Sequence, residues 1–224
     1  KLIEIGAIIA PITDSSALNI DEKSKIIKAD FIIKDNAIKK LKESKNTHNL
    51  IEVLRKKSNP GLIFFSTGTT GEPKAILHDV TLLFSRFRTK RKAFKTLNFL
   101  MFDHMGGINT LLHTMYNCGT IISPDNRGVQ HILDLCDKHS IELLPATPTF
   151  LRMLLMSGAI PKKIPKCIKV ISYGTELMDQ NTLDQIADLL PQITFKQTYG
   201  LSEFCVLRVK NRSRKDLFIK IGGE

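Results

Sequence analysis

Residues Ser66–Lys74 read STGTTGEPK and directly follow the apolar run Leu62–Phe65. The two glycines let the backbone curl around an anion, because glycine adopts conformations that other residues disfavour. Backbone N–H groups and hydroxyl side chains supply hydrogen-bond donors, and the lysine adds a positive charge. The stretch therefore predicts a phosphate-binding loop at the end of a strand.

This loop differs from a Walker A loop, in which glycine, lysine and then serine or threonine follow one another. Here Pro73 precedes Lys74 and Ala75 follows it, which disfavours a P-loop nucleoside triphosphatase. A surface turn rich in serine, threonine and glycine is the structural alternative for such a run.

Downstream of the loop, strand-length apolar runs alternate with helical patterns. The predicted strands are Leu62–Phe65, Ala75–His78, Leu97–Met101, Thr120–Ile122, Glu142–Pro145, Lys169–Ser172 and Thr194–Lys196. The predicted helices are Val80–Lys92, Gly107–Tyr116, His131–His139, Thr149–Met156 and Gln180–Leu190. This alternation is typical of α/β proteins with mainly parallel sheets flanked by helices, whose ligands collect at the carboxyl ends of strands.

Upstream of the loop the pattern is less regular. It predicts a short strand within Ala7–Ile12, a helix over Asp21–Lys28 and a strand over Phe31–Ile33. Residues 36–57 are polar and rich in lysine, and we expect them to form a connecting segment that ends in a helix.

Composition restricts the class of protein. The 224 residues are 42% hydrophobic and 25% charged, as in globular proteins. No apolar run approaches the roughly 18 to 20 residues that a membrane span needs. The four cysteines lie far apart and form no metal-binding spacing, so we expect reduced, buried thiols in a cytoplasmic protein.

The formal net charge of +11 raises the question of a nucleic-acid partner. The lysines are spread along the chain, and the one dense basic run, Arg86–Lys92, falls on a predicted helix. We interpret that run as a solvated face. Binding of nucleic acid is therefore an alternative that only the net charge supports, and we expect no nucleic-acid partner.

The phosphate loop resembles the signature of the adenylate-forming, or AMP-binding, superfamily, which includes acyl-CoA synthetases, firefly luciferases and the adenylation domains of peptide synthetases. Ala75 departs from it, because glycine is usual at that position. The resemblance implies that the loop holds the β- and γ-phosphates of ATP. The residues assigned to this role are Ser66, Thr67, Gly68, Thr69, Thr70, Gly71 and Lys74.

A second stretch, QTYGLSE at 197–203, is similar to the superfamily's Tyr-Gly-x-[Thr/Ser]-Glu element. The resemblance assigns Tyr199 and Gly200 to nucleotide binding, with the Tyr199 ring stacked on adenine. It assigns the Ser202 hydroxyl to the α-phosphate and Glu203 to Mg²⁺. These roles suit the side chains, since an aromatic face fits a purine and a carboxylate fits a hard cation.

Two further segments lie between these motifs. Gly174, Thr175 and Glu176 follow a predicted strand and resemble the element that lines the adenine and acyl pocket. His104, before a pair of glycines, resembles the residue at the meeting point of the acyl carboxylate and the acceptor thiol. Asp103 complicates the choice of substrate, because relatives that activate amino acids place an aspartate nearby to pair with the ammonium group.

The resemblance thus implies an α/β fold, the core of the large N-terminal domain of adenylate-forming enzymes. It implies an acid-thiol ligase that uses ATP and Mg²⁺ to convert a carboxylic acid into an acyl-adenylate and then a thioester, with CoA as the expected thiol. His104, Ser202 and Glu203 are the predicted catalytic residues. An amino-acid-activating adenylation domain, a non-catalytic nucleotide-binding relative and a regulatory or docking module are the alternatives. The sequence indicates neither the acid nor the oligomeric state.

We also expect residues 1–224 to be a partial AMP-binding domain. Both ends look cut, and the ribose-binding Gly-Asp element and the small mobile C-terminal domain of the superfamily, with its lysine, do not follow Glu203. We expect this chain to form acyl-adenylate at least about a hundredfold more slowly than an extended one, since one preorganised cationic donor contributes about that much.

Overall fold

A computed structural model describes residues 1–13, 19–41, 47–67 and 73–222. The chain divides into two compact units, Lys1–Arg88 and Thr89–Glu224. Across the described ranges, no helix has both the length and the apolar character that a membrane crossing requires.

The first helix of the first unit, α1 (Ile20–Ile27), begins at a capping box. The Asn19 side chain accepts a hydrogen bond from the Glu22 backbone at 2.8 Å, and the Glu22 carboxylate accepts one from the Asn19 backbone at 3.1 Å. Two N–H groups that would otherwise lack helical partners are thereby satisfied. The predicted helix over Asp21–Lys28 is confirmed.

The first unit contains a small mixed sheet. Its strands are β1 (Ile8–Ile9), β4 (Gly61–Thr67) and β5 (Pro73–Asp79). β1 pairs parallel with β4, whereas β4 and β5 form an antiparallel hairpin. The connection between β4 and β5 is too short for the crossover that a parallel pair needs, so the mainly parallel arrangement expected from the sequence does not hold here.

A separate hairpin joins β2 (Phe31–Lys34) and β3 (Ala37–Lys40). Its turn residues Asp35 and Asn36 both have positive φ, 49° and 64°, as a two-residue hairpin turn requires. β3 falls where we predicted a connecting segment. The helix predicted at the end of that segment is α2 (Asn49–Lys56).

The first unit ends with α3 (Val80–Ser85), which Asp79 caps by accepting a hydrogen bond from the Thr81 backbone at 2.8 Å. We predicted a helix that continued to Lys92, and this prediction is wrong. The basic residues from Arg86 to Lys92 follow the helix rather than forming one of its faces.

The second unit is built on a parallel sheet whose described strands lie in the order β10-β9-β8-β6-β7. Their bounds are β6 (Lys95–Leu97), β7 (Thr120–Ile122), β8 (Leu143–Ala146), β9 (Val170–Tyr173) and β10 (Thr194–Gln197). Each coincides with a predicted strand to within a few residues. The α/β fold class with a parallel sheet is confirmed.

Helices connect these strands. They are α4 (Met105–Tyr116), α5 (Val129–Lys138), α6 (Pro148–Met156) and α7 (Gln180–Leu189). The apolar faces of α5, α6 and α7 and the sheet form one core, in which these residues are wholly buried: Leu97, Ile132, Leu144, Leu151, Ile171 and Leu183. Burial of each such side chain contributes about 1.5–3 kcal/mol, so this core is the main source of the unit's stability.

Two short antiparallel hairpins follow β10. The first pairs β11 (Gly200–Leu201) with β12 (Cys205–Val206), and the second pairs β13 (Val209–Asn211) with β14 (Ile219–Ile221). Because the strands β6 to β10 are parallel, the segments that follow them emerge at the same edge of the sheet.

Candidate functional site

The predicted phosphate loop begins within β4 and ends within β5, both in the first unit. Ser66 pairs with Lys74 in the strand register, and Thr67 pairs with Pro73. Ser66 is partly buried and Lys74 is exposed. The predicted ligand residues Gly68, Thr69, Thr70 and Gly71 lie outside the described residues.

The other predicted residues belong to the second unit, where three segments leave the carboxyl edge of the parallel sheet. The first segment follows β6 and leads to His104, the N-cap residue of α4. The His104 side chain makes no capping hydrogen bond and is 65% exposed. An imidazole in this position is free to meet a ligand beside N–H groups that favour negative charge.

Close backbone packing holds the start of α4 in place. A Cβ atom built on Gly107 would lie 2.0 Å from the carbonyl oxygen of Met101, so only glycine fits there. The nearly fully buried Asn98 donates from its side chain to the Leu100 carbonyl at 3.1 Å and braces the same segment. Gly107 therefore has a packing role, and Asn98 is a supporting residue that the sequence analysis missed.

Asp103 directly precedes His104, and only 3% of its side chain is exposed. Its carboxylate oxygen Oδ1 is 3.8 Å from Nε2 of His104. This distance is in ion-pair range but longer than a hydrogen bond. The two neighbouring residues thus differ sharply, one buried and one open to solvent.

The second segment, Gly174–Glu176, follows β9. A Cβ atom on Gly174 would lie 2.3 Å from Oγ1 of Thr198 and 2.6 Å from its carbonyl oxygen, so the turns after β9 and β10 are in direct contact. The Thr198 hydroxyl and backbone nitrogen both donate to the Tyr173 carbonyl, at 3.1 and 2.7 Å. Thr175 has a φ of 71°, a conformation that residues other than glycine seldom adopt.

The Glu176 carboxylate accepts hydrogen bonds from the first turn of the neighbouring helix α6. Its Oε2 accepts hydrogen bonds from the backbone and the hydroxyl of Thr149, at 3.0 and 2.5 Å, and lies 3.9 Å from Arg152. A carboxylate at a helix N-terminus is stabilised by the exposed N–H groups there. The sequence analysis assigned Glu176 to the nucleotide pocket and missed Thr149 and Arg152, which contact it in the structure.

The third segment, Tyr199–Glu203, forms the start of the β11–β12 hairpin. The Tyr199 carbonyl accepts a hydrogen bond from Leu207 at 2.9 Å, which closes the hairpin, and the side chain is 41% exposed. A Cβ atom on Gly200 would lie 2.9 Å from Cα of Val206, so glycine is required by the pairing of the strands. Ser202 is partly buried and Glu203 is exposed in the connecting turn.

Contacts bring these three segments together within the second unit. A Cβ atom on Gly106 would lie 3.6 Å from Cγ2 of Thr175, which places the first turn of α4 beside the turn after β9. The helix α4 also packs against β12 of the third segment. His104, Gly174 to Glu176 and Tyr199 to Glu203 therefore surround one edge of the sheet, as expected for ligand sites in parallel α/β folds.

Burial alters the chemistry of the tyrosine beneath this edge. Tyr173 is buried, its hydroxyl lies 3.5 Å from the Gln197 side chain, and burial followed by the charge of Asp216 raises its pKa to about 12. The phenol therefore keeps its proton to a higher pH than an ordinary tyrosine does.

A model of the AMP-binding enzyme family matches residues 3–222. The chain belongs to this family. The match confirms the resemblance that the phosphate loop and the Tyr199–Glu203 segment indicated. Because the AMP-binding family is matched from near one end of the chain to the other, both units lie within the matched region.

Two curated relatives of this AMP-binding chain are acyl-CoA enzymes by name. The acyl-CoA ligase AFT1-1 of Alternaria alternata is 26% identical over 156 residues, which are 65% of this chain and 27% of that protein. Acyl-CoA synthetase 7 of Caenorhabditis elegans is 28% identical over 156 residues, 62% of this chain and 29% of that protein. The match thus spans less than a third of either relative.

Solved structures show the same fold at low identity. The luciferase-like enzyme of the nonluminescent mealworm Zophobas morio has a TM-score of 0.56 at 21% identity, over 66% of this chain and 36% of that one. The amide bond synthetase McbA of Marinactinospora thermotolerans has a TM-score of 0.55 at 18% identity, over 65% and 30%. The o-succinylbenzoate CoA synthetase of Bacillus subtilis, solved with ATP and a magnesium ion, has a TM-score of 0.51 at 20% identity, over 62% and 30%.

Proposed function

We propose that this protein takes part in the ATP-dependent activation of a carboxylic acid to an acyl-adenylate, followed by transfer of the acyl group to a thiol. The observation that carries the proposal is the family match over residues 3–222, combined with the gathering of three predicted site segments at one edge of the parallel sheet. The fold alone would not suffice, because one fold supports many reactions.

The proposed first step needs alignment and neutralisation of charge. A carboxylate oxygen of the substrate attacks the α-phosphorus of ATP, a new P–O bond forms, and the bond to the β-phosphate oxygen breaks as pyrophosphate leaves. In this proposal the loop from Ser66 to Lys74 binds the β- and γ-phosphates, and Ser202 donates a hydrogen bond to the α-phosphate. Holding reactants and leaving group in line supplies most of the acceleration in reactions of this kind.

His104 is proposed to hold the substrate carboxylate. Its exposed imidazole and the N-terminus of α4 both favour an anion, and the helix has twelve residues to support its dipole. Tyr199 offers a half-exposed ring on the same edge, where adenine stacks in the proposed complex. These assignments keep the roles that the motifs implied.

The metal requirement is proposed to fall on Glu203. Within the described ranges no group of three or more histidine, cysteine, aspartate or glutamate side chains could hold a metal ion. A single exposed carboxylate fits Mg²⁺ that arrives with ATP, because this ion keeps several waters and combines one or two carboxylates with phosphate oxygens. When bound, Mg²⁺ would neutralise phosphate charge.

The second proposed step is attack of a thiolate sulfur on the carbonyl carbon of the mixed anhydride. A thioester bond forms and AMP leaves with the electron pair of the broken C–O bond. CoA is the proposed thiol, supported by two relatives named acyl-CoA ligase and acyl-CoA synthetase. The thiol of a carrier protein is the alternative acceptor.

The decisive experiment measures ATP affinity by calorimetry in the presence of Mg²⁺. Replacing Lys74 by alanine removes a charged hydrogen bond to phosphate and should weaken ATP binding by roughly tenfold to a hundredfold. Lys39→Ala, an exposed lysine on β3 of the same unit, is the matched control and should bind ATP as the parent does. Equal affinities of the Lys74 variant and the parent would remove Lys74 from the site.

Release of pyrophosphate tests the reaction itself. With a panel of carboxylic acids, pyrophosphate should appear only when acid, ATP and Mg²⁺ are all present, and CoA should convert the adenylate to a thioester. Glu203→Gln should change the Mg²⁺ concentration required for ATP binding, since the substitution keeps the shape and removes the charge. An unchanged Mg²⁺ requirement would contradict the assignment of Glu203.

A further inference from the structure

Asp103 is the feature of the candidate site that the proposed mechanism leaves without a role. It lies next to His104 and beside the proposed carboxylate position, where an acid has two possible functions. It could pair with the ammonium group of an amino-acid substrate, or it could act on the protein itself. Its burial distinguishes these functions.

An aspartate that binds the ammonium group of a ligand must bring a carboxylate oxygen within about 3 Å of the ammonium nitrogen. Only 3% of the Asp103 side chain is exposed, and Nε2 of the exposed His104 imidazole lies 3.8 Å from its Oδ1. A carboxylate buried to this extent, with an imidazole already in ion-pair range, offers little surface to the ammonium group of a ligand. The position of Asp103 in the sequence, taken alone, left an amino acid as a possible substrate.

The other acids of the three segments do not replace Asp103 as an ammonium ligand. Glu176 has its carboxylate on the Thr149 backbone and hydroxyl and near Arg152. Glu203 lies in the turn between β11 and β12, where the proposed function assigns it to Mg²⁺. Among the described residues of these segments, no further acid is present to pair with an α-ammonium group.

We infer that Asp103 is a positioning residue that orients His104 from inside the protein, and that the site takes carboxylic acids without an α-ammonium group. The inference rests on the proposed function. Asp103 attracts Nε2 and leaves Nδ1 as the ring nitrogen for the substrate carboxylate. The close approach of Gly107 to Met101 keeps the backbone of this segment in place, so the side-chain pair sets the direction of the imidazole.

The test compares two inhibitors that differ by one group, hexanoyl-sulfamoyladenosine and its 2-amino derivative, by calorimetry on the whole chain. The parent protein should bind the compound without the amino group at least about tenfold more tightly, because a buried Asp103 offers the ammonium no partner. Asp103→Asn should weaken both compounds by a similar factor, about threefold to tenfold, and leave ATP affinity unchanged. A general loss of structure would lower ATP affinity as well.

A double-mutant cycle separates positioning from direct contact. If Asp103 acts through His104, then Asp103→Asn should have no further effect on either affinity once His104→Ala is present. Asp125→Asn is the control, because the exposed Asp125 carboxylate also lies beside a histidine, 2.7 Å from His131, in the same unit but outside the three segments. This control should bind both compounds as the parent does.

Three results would overturn the inference. One is tighter binding of the amino compound by the parent protein, which can be measured even if the Asp103 variant does not fold. Another is a selective loss of the amino compound in Asp103→Asn. The third is an equal effect of Asp103→Asn with and without His104. Binding of ATP without either inhibitor would contradict the proposed function, and the inference would fail with it.

Discussion

Glu176 holds Thr149 through two hydrogen bonds, one to the backbone nitrogen at 3.0 Å and one to the hydroxyl at 2.5 Å. These bonds tie the turn after β9 to the first turn of α6, the helix that follows β8. A residue that the motif places in the nucleotide pocket thus also fastens two neighbouring elements of the sheet edge.

Replacement of Glu176 by alanine should therefore lower the free energy of unfolding by about 1–2 kcal/mol, because the helix N-terminus loses a charged acceptor. Urea denaturation measures this change. Thr149→Val removes only the hydroxyl donor and should have the smaller effect of the two. If Glu176→Ala left the denaturation midpoint unchanged, the carboxylate would not anchor α6 in solution and would be available to a ligand.

The neighbouring glycines Gly106 and Gly107 provide a matched pair. A Cβ atom at Gly107 meets the Met101 backbone at 2.0 Å, whereas one at Gly106 meets the ends of two side chains, Leu100 at 3.0 Å and Thr175 at 3.6 Å. Gly107→Ala should cost about 1–3 kcal/mol through overpacking against backbone. Gly106→Ala should change stability by less than about 1 kcal/mol, because the gain in helix propensity offsets a small side-chain shift. Thermal unfolding of both variants checks this order, and equal losses would contradict it.

Arg214 closes the C-terminal end of α7. Its guanidinium donates to the carbonyl oxygens of Ala187 and Pro191, both at 2.8 Å, and to that of Leu190. It also lies over the Phe195 ring, 5.5 Å from the centroid. Arg214→Leu should destabilise the protein by about 1–3 kcal/mol, since hydrogen bonds from a charged group are lost.

Arg214→Lys tests whether charge alone suffices at that position. Lysine keeps the charge near the helix C-terminus but lacks the planar fork that reaches several carbonyls. We expect a stability between those of the parent and the leucine variant, measured by urea denaturation. If the lysine variant were as stable as the parent, the interaction of the positive charge with the helix dipole, rather than the set of hydrogen bonds, would account for the stabilisation by Arg214.

Tyr173 predicts a loss of stability at high pH. Burial raises its pKa from 10.0 to about 12, so the folded protein keeps a proton that the unfolded chain has lost in this window. The stabilisation is complete below pH 10 and falls by roughly 2–3 kcal/mol as the pH rises to 12. The protein has three tyrosines and no tryptophan, so tyrosinate absorbance reports the titration directly. Tyr173→Phe should remove the highest transition, and its persistence would contradict the assignment.

Local pattern predicted most of the second unit, because its strands are short apolar runs and its helices are amphipathic. It failed where distant contacts decide the structure. The helix predicted from Val80 to Lys92 stops at Ser85, and the Arg91 backbone instead donates to the Asn117 side chain at the end of α4. Repulsion among the positive charges of Arg86–Lys92 also disfavours a helix there. The helix prediction rested on the spacing of apolar residues, which takes no account of this repulsion.

The site shows the same division. Motif order located His104, Gly174 and Tyr199, which the structure gathers at one sheet edge. The sequence did not reveal that Gly174 faces Thr198, because that requirement arises only when β9 and β10 lie side by side. Asp103 and His104 are adjacent in the chain, yet one is buried and the other exposed, a difference that depends on the packing of α4.

The parallel order of the second sheet separates the residues that stabilise the fold from the residues that we propose to contact a ligand. The residues that fill the core lie within strands and along helices, whereas His104, Thr175 and Tyr199 lie on connections that leave the strand ends. Those connections can exchange residues without disturbing the core, apart from the glycines that touch backbone. A descendant of this protein could therefore acquire a different ligand preference at the proposed site through a handful of loop substitutions while keeping its stability.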